Sequence, residues 1–305
     1  MQIMISLVGA QPAPNVLPLA HFNPKKVIFV HTNMTEQIAL RMAEVITQDY
    51  GIEVIQPLCS VNPYRITEIG EKLAAYVENN VTDRVKYIFN LTGGTKPMAI
   101  AAFEVAKSLS ANVFYYQSQD NQDLIYPYFF DDAIVKSKEP ETCQATLTLD
   151  RFLRLYIGGY TRENFKDEFE LKVFNSLEKL GKDYEVFHNI RLQVSGDLEV
   201  DWILRYKNSI AIGEVKAQAG KDSIDQLNSA CHPKNLGTYT KKFLISGRGP
   251  RDNRESFHHN HIDLMKAYNI HGMILRSYND DELSIQDKEI LIETIRTVME
   301  KGRKG

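Results

Sequence analysis

Cysteine is scarce: Cys59, Cys143 and Cys231 are the only three in 305 residues, and no two form a C-x-x-C pair. That spacing supports neither a zinc knuckle nor a disulfide framework, so the three are expected as reduced thiols. No uninterrupted apolar run approaches the ~20 residues that span a bilayer. Met1 to Ser6 carries no basic residue ahead of its apolar stretch, so no membrane partner and a cytoplasmic location are expected. Excess positive charge is also missing. With 36 Lys and Arg against 39 Asp and Glu the net charge is -3, which argues against a protein that coats nucleic acid through a large positive field. It leaves enzymes that act on nucleic acid open. Internal repeats, low-complexity tracts, the G-x-x-x-x-G-K-[ST] spacing of nucleoside triphosphatases and local Ser-His-Asp or Cys-His arrangements are all lacking. What is present, 43% hydrophobic and 25% charged residues, is enough for two ordinary domains.

The N-terminal half alternates apolar, β-branched runs with helical stretches. Strands are expected at Ile3 to Val8, Val27 to Val30, Val54 to Leu58, Lys86 to Leu91 and Val113 to Tyr116. A helix from Met34 to Tyr50 has its stripe at Met34, Ile38, Met42, Val45 and Ile46, and the next at Ile66, Ile69, Leu73 and Val77. The pattern predicts an α/β fold with a doubly wound parallel sheet, whose ligands bind beyond the carboxyl ends of the strands. One strand-to-helix loop stands out there: Thr92-Gly-Gly-Thr-Lys-Pro97. Gly93 and Gly94 allow close backbone approach, Thr95 can cap the following helix, Pro97 suits its first turn, and the free amides with Lys96 make an anion pocket. The alternative is a tight turn without a ligand.

The densest chemistry lies further on. Asp197 to Leu204 and Ile212 to Lys216 read as two strands joined by a short turn, so Glu199 shares a face with Asp201 and Glu214 with Lys216. Val200, Ile212 and Val215 remain for packing. Magnesium or manganese takes oxygen ligands, and Asp201, Glu214 and the Val215 backbone carbonyl supply them while leaving water on the metal. Lys216 would orient the attacking water or offset charge on a phosphate. An E-x-K triplet by itself is common on solvated strands. Here it is joined by an acidic strand at hairpin distance and by an upstream amphipathic helix with Phe165, Phe169, Val173, Leu177 and Leu180 at helical spacing, ending at Gly181. That helix leaves Glu170 beside its buried stripe, with Glu168 as the competing acid.

The order helix, strand, acidic strand, E-x-K strand, helix resembles the PD-(D/E)XK nuclease superfamily. The matching residues are Phe169-Glu170, Asp201, Glu214 and Lys216, with Ile224 to Asn228 as the following helix. In that helix Gln226 either faces the site or, as preferred, lies on a solvated face. A second resemblance joins it. Ser6 to Pro12, His31-Thr-Asn33 and Leu91 to Met98 are similar to the CRISPR-associated Rossmann-fold (CARF) sensor domain. The pair is similar to the cyclic-oligoadenylate-activated CRISPR ancillary nucleases of type III systems. The resemblance implies a Rossmann-like CARF domain at 1–145 and a restriction-endonuclease-like α/β domain at 146–305. It further implies a homodimer, a cyclic tetra-adenylate activator and metal-dependent cleavage of RNA or DNA in antiviral defence. By position, Thr92, Gly93, Gly94, Thr95 and Lys96 would hold the ring. Ser6, Gly9 and Gln11 would form the opposite lip, and Thr32 and Asn33 would stand by. Tyr64 or Arg65 stacking on adenine competes with a simple turn at Asn62 to Tyr64, which is preferred. Two other readings stay open: a nucleotide-sensing regulator with an idle nuclease domain, and a phosphodiesterase that degrades the ring in the sensor pocket.

Four smaller features complete the reading. Lys136 to about Thr146, charged and broken by proline, is expected as the linker. Leu147 to Tyr156 with Gly158-Gly159 reads either as a hinge or as the packed first element of the second domain. Lys241, Lys242, Arg248, Arg251 and Arg254 are expected on a solvated loop that could meet phosphates at the rim of the site. His258, His259 and His261 are expected to contact substrate or form a plain surface cluster in preference to a transition-metal site, and the tail after Met299 is expected to fray.

Overall fold

The run Ile3 to Val8 has no polar alternation on either side, and it occupies the middle of a sheet covered on both faces. A computed structural model describes residues 1–81, 85–119, 122–131, 134–193, 198–232, 234–248 and 256–300. They form two units, divided between Thr146 and Leu147.

In the first unit, β1 (Gln2–Leu7), β2 (Lys26–His31), β3 (Glu53–Val54), β4 (Cys59–Ser60), β5 (Lys86–Asn90) and β6 (Asn112–Gln119) pair in parallel. The order is β3-β2-β1-β5-β6, so the direction of winding reverses between β1 and β5. Ile3, Ile5 and Leu7 face the core shared with α3 (Ile66–Asn80) and α4 (Lys96–Ser108). The opposite face carries Ser6, which donates to Asn15 of α1 (Ala13–Phe22) at 2.7 Å.

Several expectations are corrected. The sheet is parallel only as far as β6: β7 (Gln122–Asp131), β8 (Ile134–Ser137) and β9 (Glu141–Thr142) extend it antiparallel. The expected linker therefore belongs largely to the first unit, with Lys136 and Ser137 in β8. The run Val54 to Leu58 splits into β3 and β4 around Pro57, which has no N–H for the ladder. Met34 is 89% exposed and lies ahead of α2 (Glu36–Tyr50), whose buried stripe is Ala39, Met42, Ala43, Val45 and Ile46. Ile66 also faces outward. Helix α1, with Pro14 in its first turn and Pro18 in its interior, was not among the expected elements. Pro18 leaves the carbonyl of Pro14 without its helical donor, and the Asn90 amide supplies one instead at 2.9 Å.

The second unit holds α5 (Leu149–Tyr156), β10 (Tyr160–Arg162), α6 (Glu168–Leu177), β11 (Tyr184–Leu192), β12 (Leu198–Tyr206), β13 (Ser209–Lys216) and α7 (Lys221–Ala230). Then follow β14 (Lys241–Ser246), α8 (His259–Ala267), β15 (Ile270–Ile274) and α9 (Ile285–Glu300). The sheet runs β10-β11-β12-β13-β14-β15, antiparallel to β13 and parallel beyond it. Helix α5 packs its buried face on β11 and β12, so this stretch is the packed first element of the unit rather than a hinge. Phe169, Val173 and Leu177 of α6 pack into a core with Trp202, Val215, Phe243 and Ile295. Phe165, expected in the same stripe, precedes the helix and stacks on His188 with ring centroids 4.4 Å apart. Trp202 crosses Gly213 so closely that a Cβ there would lie 2.0 Å from its ring, which seats β12 against β13 beside the acids.

Candidate functional site

Strand alternation brings Glu199, Asp201, Glu214 and Lys216 together, while Val200, Ile212 and Val215 are buried in packing. Asp201 Oδ2 accepts from the Val215 N–H at 2.7 Å and from Lys216 Nζ at 3.2 Å. Lys216 Nζ also pairs with Glu214 Oε1 at 2.8 Å. Asp201 Oδ1 and Glu214 Oε2 are buried without a hydrogen-bond donor. Buried carboxylate oxygens left so are costly unless a cation or a proton meets them.

The electrostatics point the same way. Burial, reinforced by the Asp201 charge and opposed by Lys216, pushes the Glu214 carboxyl up to about 7. Burial also raises Asp201 against the pull of Lys216. For Lys216, burial alone would lower the ammonium, but Asp201 and Glu214 outweigh it and hold the group above its ordinary value. The pair therefore carries one negative charge more readily than two unless a further cation joins it.

Between the two helix acids the structure discriminates sharply. The Glu168 side chain is 90% exposed, whereas Glu170 is buried. Asp167 caps α6 by accepting from the Glu170 N–H at 2.9 Å, and Glu170 Oε2 reaches back to the Lys166 N–H at 3.0 Å and Asn189 Nδ2 at 3.3 Å. Burial, and then the Asp201 charge, raises its pKa. Gln226 is not on a solvated face: its Nε2 donates to the Glu199 carbonyl at 2.8 Å.

Among the described residues no three His, Cys, Asp or Glu side chains converge as a complete metal cage. Two carboxylates, each with a buried oxygen that has no hydrogen-bond donor, suit a hard cation that keeps several waters. His258 instead caps Asn260, and His259 lies 4.0 Å from Asp263. Lys241 and Lys242 are not at the rim. The parallel register Ala211↔Lys241 and Lys216↔Ser246 puts them at the far end of the strands, where they bond the Val298 carbonyl and Asn228. Arg248 is exposed just past β14, at the Lys216 end; Arg251, Arg254 and the residues after Glu300 lie outside the described residues. Sequence reasoning missed Lys166, 3.0 Å from Glu199, and Arg191, whose Nη2 is 4.0 Å from Glu199. The D-x-x-E capping pattern at Asp167 to Glu170 was the available signal for Lys166.

In the first unit, the loops after β1 and β5 meet where the winding reverses, the position at which open α/β sheets bind ligands. A Cβ on Gly93 would lie 1.9 Å from the Leu7 carbonyl oxygen, and one on Gly9 would lie 3.2 Å from the Gly94 nitrogen. Gly94 has φ 73°, in the left-handed region. Asn90 Oδ1 accepts from the Thr92 N–H and hydroxyl at 3.1 and 2.7 Å, and the Thr92 oxygen accepts from the Tyr116 N–H at 2.8 Å. Thr95 caps α4 through the Met98 N–H at 3.4 Å and donates to the Pro63 carbonyl. Lys96 is exposed at the helix N-terminus. A cavity of about 530 Å³ opens beside this loop, lined by Leu91 to Lys96 with Phe103, Tyr115 and Tyr128 among others.

The expected opposite lip fares differently. Ser6 is fully buried and donates to Asn15, so it positions α1 and is not a lip residue. Thr32 is buried and engaged with Thr35, Asn33 is exposed, and neither lines the cavity; nor do Gly9 and Gln11. The Asn62 side chain accepts from the Tyr64 N–H, the simple turn that was preferred. The tight loop predicts that Gly93→Ala costs about 2 kcal/mol or more in thermal unfolding. Gly70→Ala, with nothing near its added Cβ in α3, should be neutral or slightly stabilising.

Residues 3–150 match the Card1 CARF domain, and residues 166–262 match the nuclease-related domain, NERD. The chain joins a CARF domain to a nuclease-related domain. The first match contains the glycine loop and its cavity; the second contains Lys166, Glu170, Asp201, Glu214 and Lys216. Among solved structures, protein VC1899 from Vibrio cholerae shares the fold at TM-score 0.71 and 13% identity, over 97% of this chain and 98% of that one. Can2 from Sulfobacillus thermosulfidooxidans, solved in complex with cyclic tetra-adenylate, aligns at TM-score 0.68 and 17% identity over 97% and 99%. A type III CRISPR defence DNA nuclease activated by cyclic oligoadenylate aligns at 0.53 and 16%, over 81% of this chain and 45% of that one. The curated proteins contain no match. No helix among the described residues is long and apolar enough to cross a membrane.

Proposed function

We propose that this CARF nuclease is a metal-dependent endonuclease of type III CRISPR defence, switched on by a cyclic oligoadenylate bound at the glycine loop. The observation that carries the reading is the buried Asp201 and Glu214 pair, each with one oxygen lacking a donor and with Lys216 alongside, inside a nuclease-related domain. Asp201, Glu214 and the Val215 carbonyl would hold magnesium or manganese, which supplies a polarised phosphoryl oxygen and an activated water. Lys216 holds its proton between the two carboxylates and offers positive charge to the phosphate. Glu199, paired with Lys166, and buried Glu170 border the pair.

Support for the activator comes from the CARF match and from two relatives in fold, one solved with cyclic tetra-adenylate and one described as activated by cyclic oligoadenylate. Gly93, Gly94 and Lys96 lie at the N-terminus of α4, where amide groups and the helix dipole favour phosphate, and the adjoining cavity is apolar enough for a base. Thr92 and Thr95 shape that loop. A ring with two-fold character suits an isologous homodimer in which each protomer offers the same loop to half of it.

The test is cleavage of labelled RNA, single-stranded DNA and plasmid in the presence of cyclic tetra-adenylate. EDTA should stop it; manganese or magnesium should restore it, and zinc at matched concentration should not, because the site offers oxygen rather than thiolate or imidazole. Cleavage that persists in EDTA would contradict the reading.

A further inference from the structure

Lys166 reaches the acidic cluster from outside the Asp201, Glu214 and Lys216 set, and the fold takes trouble to keep it there. Its Nζ lies 3.0 Å from Glu199 Oε1 and 4.0 Å from Asp201 Oδ1, the oxygen of Asp201 that has no hydrogen-bond donor. Its backbone N–H is bound by buried Glu170. Asn189, at φ 42° and across from Asp201 between the pairs His188↔Trp202 and Ile190↔Val200, holds the same loop twice more. Asn189 Nδ2 donates to the Asn164 carbonyl at 2.6 Å, and the Asn189 carbonyl accepts from the Glu163 N–H at 2.8 Å. A surface lysine whose only role was an exposed ion pair would contribute at most about 1 kcal/mol and would need no such anchoring.

Exposure decides what Lys166 can meet. The Asp201 and Glu214 side chains are 1% exposed and Glu199 17%, whereas Lys216 is 34% and Lys166 47% exposed. Lys216 sits between the two carboxylates, and Arg191 is drawn aside by Glu163 at 3.0 Å. A polyanionic backbone coming in from solvent is repelled by the acids and meets the Lys166 ammonium ahead of Lys216. We propose that Lys166 is a substrate-binding residue that takes a phosphate oxygen of the nucleic-acid backbone beside the cluster. Glu170 and Asn189 are its positioning residues, so the helix acid acts through this lysine. This rests on the nuclease reading above.

Binding of labelled single-stranded RNA and DNA, followed by anisotropy with cyclic tetra-adenylate present, tests it in the non-cleaving Glu214→Gln background. Adding Lys166→Ala should raise Kd about tenfold and reduce the slope of log Kd against log salt by about 0.7, one phosphate contact on a single strand. Lys166→Arg should restore both, and the melting temperature should not move. A structural role would change melting and leave the salt slope alone. If wild type cleaves while Lys166→Ala keeps the parental Kd and slope, this inference is overturned alone. If wild type neither binds nor cleaves any of the oligonucleotides, the nuclease reading falls and takes the inference with it.

Discussion

Glu214→Gln is expected to lower cleavage by about a thousandfold or more, since several kcal/mol of transition-state stabilisation depend on that carboxylate. The same substitution should stabilise the protein when no metal is present. Burial holds the Glu214 carboxyl at about 7, above its ordinary 4.5. A folded-state value raised in this way costs nothing below the unfolded value; the cost builds as pH rises from about 4.5 to 7 and is complete above that. Glutamine imitates the neutral acid and escapes the cost. In EDTA at pH 8, Glu214→Gln should be more stable than wild type by about 3 kcal/mol, and the difference should shrink towards pH 4.5. Paired thermal melts at both pH values check it. A variant less stable than wild type at pH 8 would mean that the Lys216 ion pair outweighs the burial of charge.

Lys96→Glu should move the activator response about a hundredfold to higher concentration, because it removes a charge-assisted contact with phosphate and adds a repulsion. The Asp201 and Glu214 pair lies in the other unit and is unchanged, so saturating cyclic tetra-adenylate should bring back most of the wild-type rate. A ligand raises cleavage only through its differential affinity for the active arrangement, so weaker binding costs concentration rather than chemistry. No concentration should rescue Glu214→Gln. Cleavage against activator concentration for the two variants separates sensing from catalysis, and an unshifted Lys96→Glu curve would remove the lysine from the sensor.

The parts of the two sites that were legible in the sequence are those whose geometry is local. Period-two alternation is enough to gather Glu199 with Asp201 and Glu214 with Lys216, and a Thr-Gly-Gly-Thr-Lys loop between an apolar strand and an apolar helix names its own turn. What escaped depends on partners far along the chain. Helix α1 tolerates Pro18 only because Asn90 donates to the Pro14 carbonyl, and Asn90 also ties down Thr92. Lys241 and Lys242, expected on a solvated loop that could meet the rim, lie in β14, and the register with β13 puts them at the far end of that strand. Gln226 bonds the backbone of β12, a contact that helical periodicity cannot reveal. Lys166 sits in a loop whose place is set by Glu170 and Asn189, so its approach to Asp201 needed the fold. The antiparallel strands β7 to β9 were hidden because their charged, proline-broken end reads like a linker.

The central claim is that occupation of the glycine loop governs chemistry at Asp201 and Glu214. The most direct measurement is the initial rate of nucleic-acid cleavage by wild type in manganese across a titration of cyclic tetra-adenylate from zero to saturation. The account predicts a rate near background without the activator and a saturable rise with it, abolished by EDTA and by Glu214→Gln. Equal cleavage with and without the activator would contradict it.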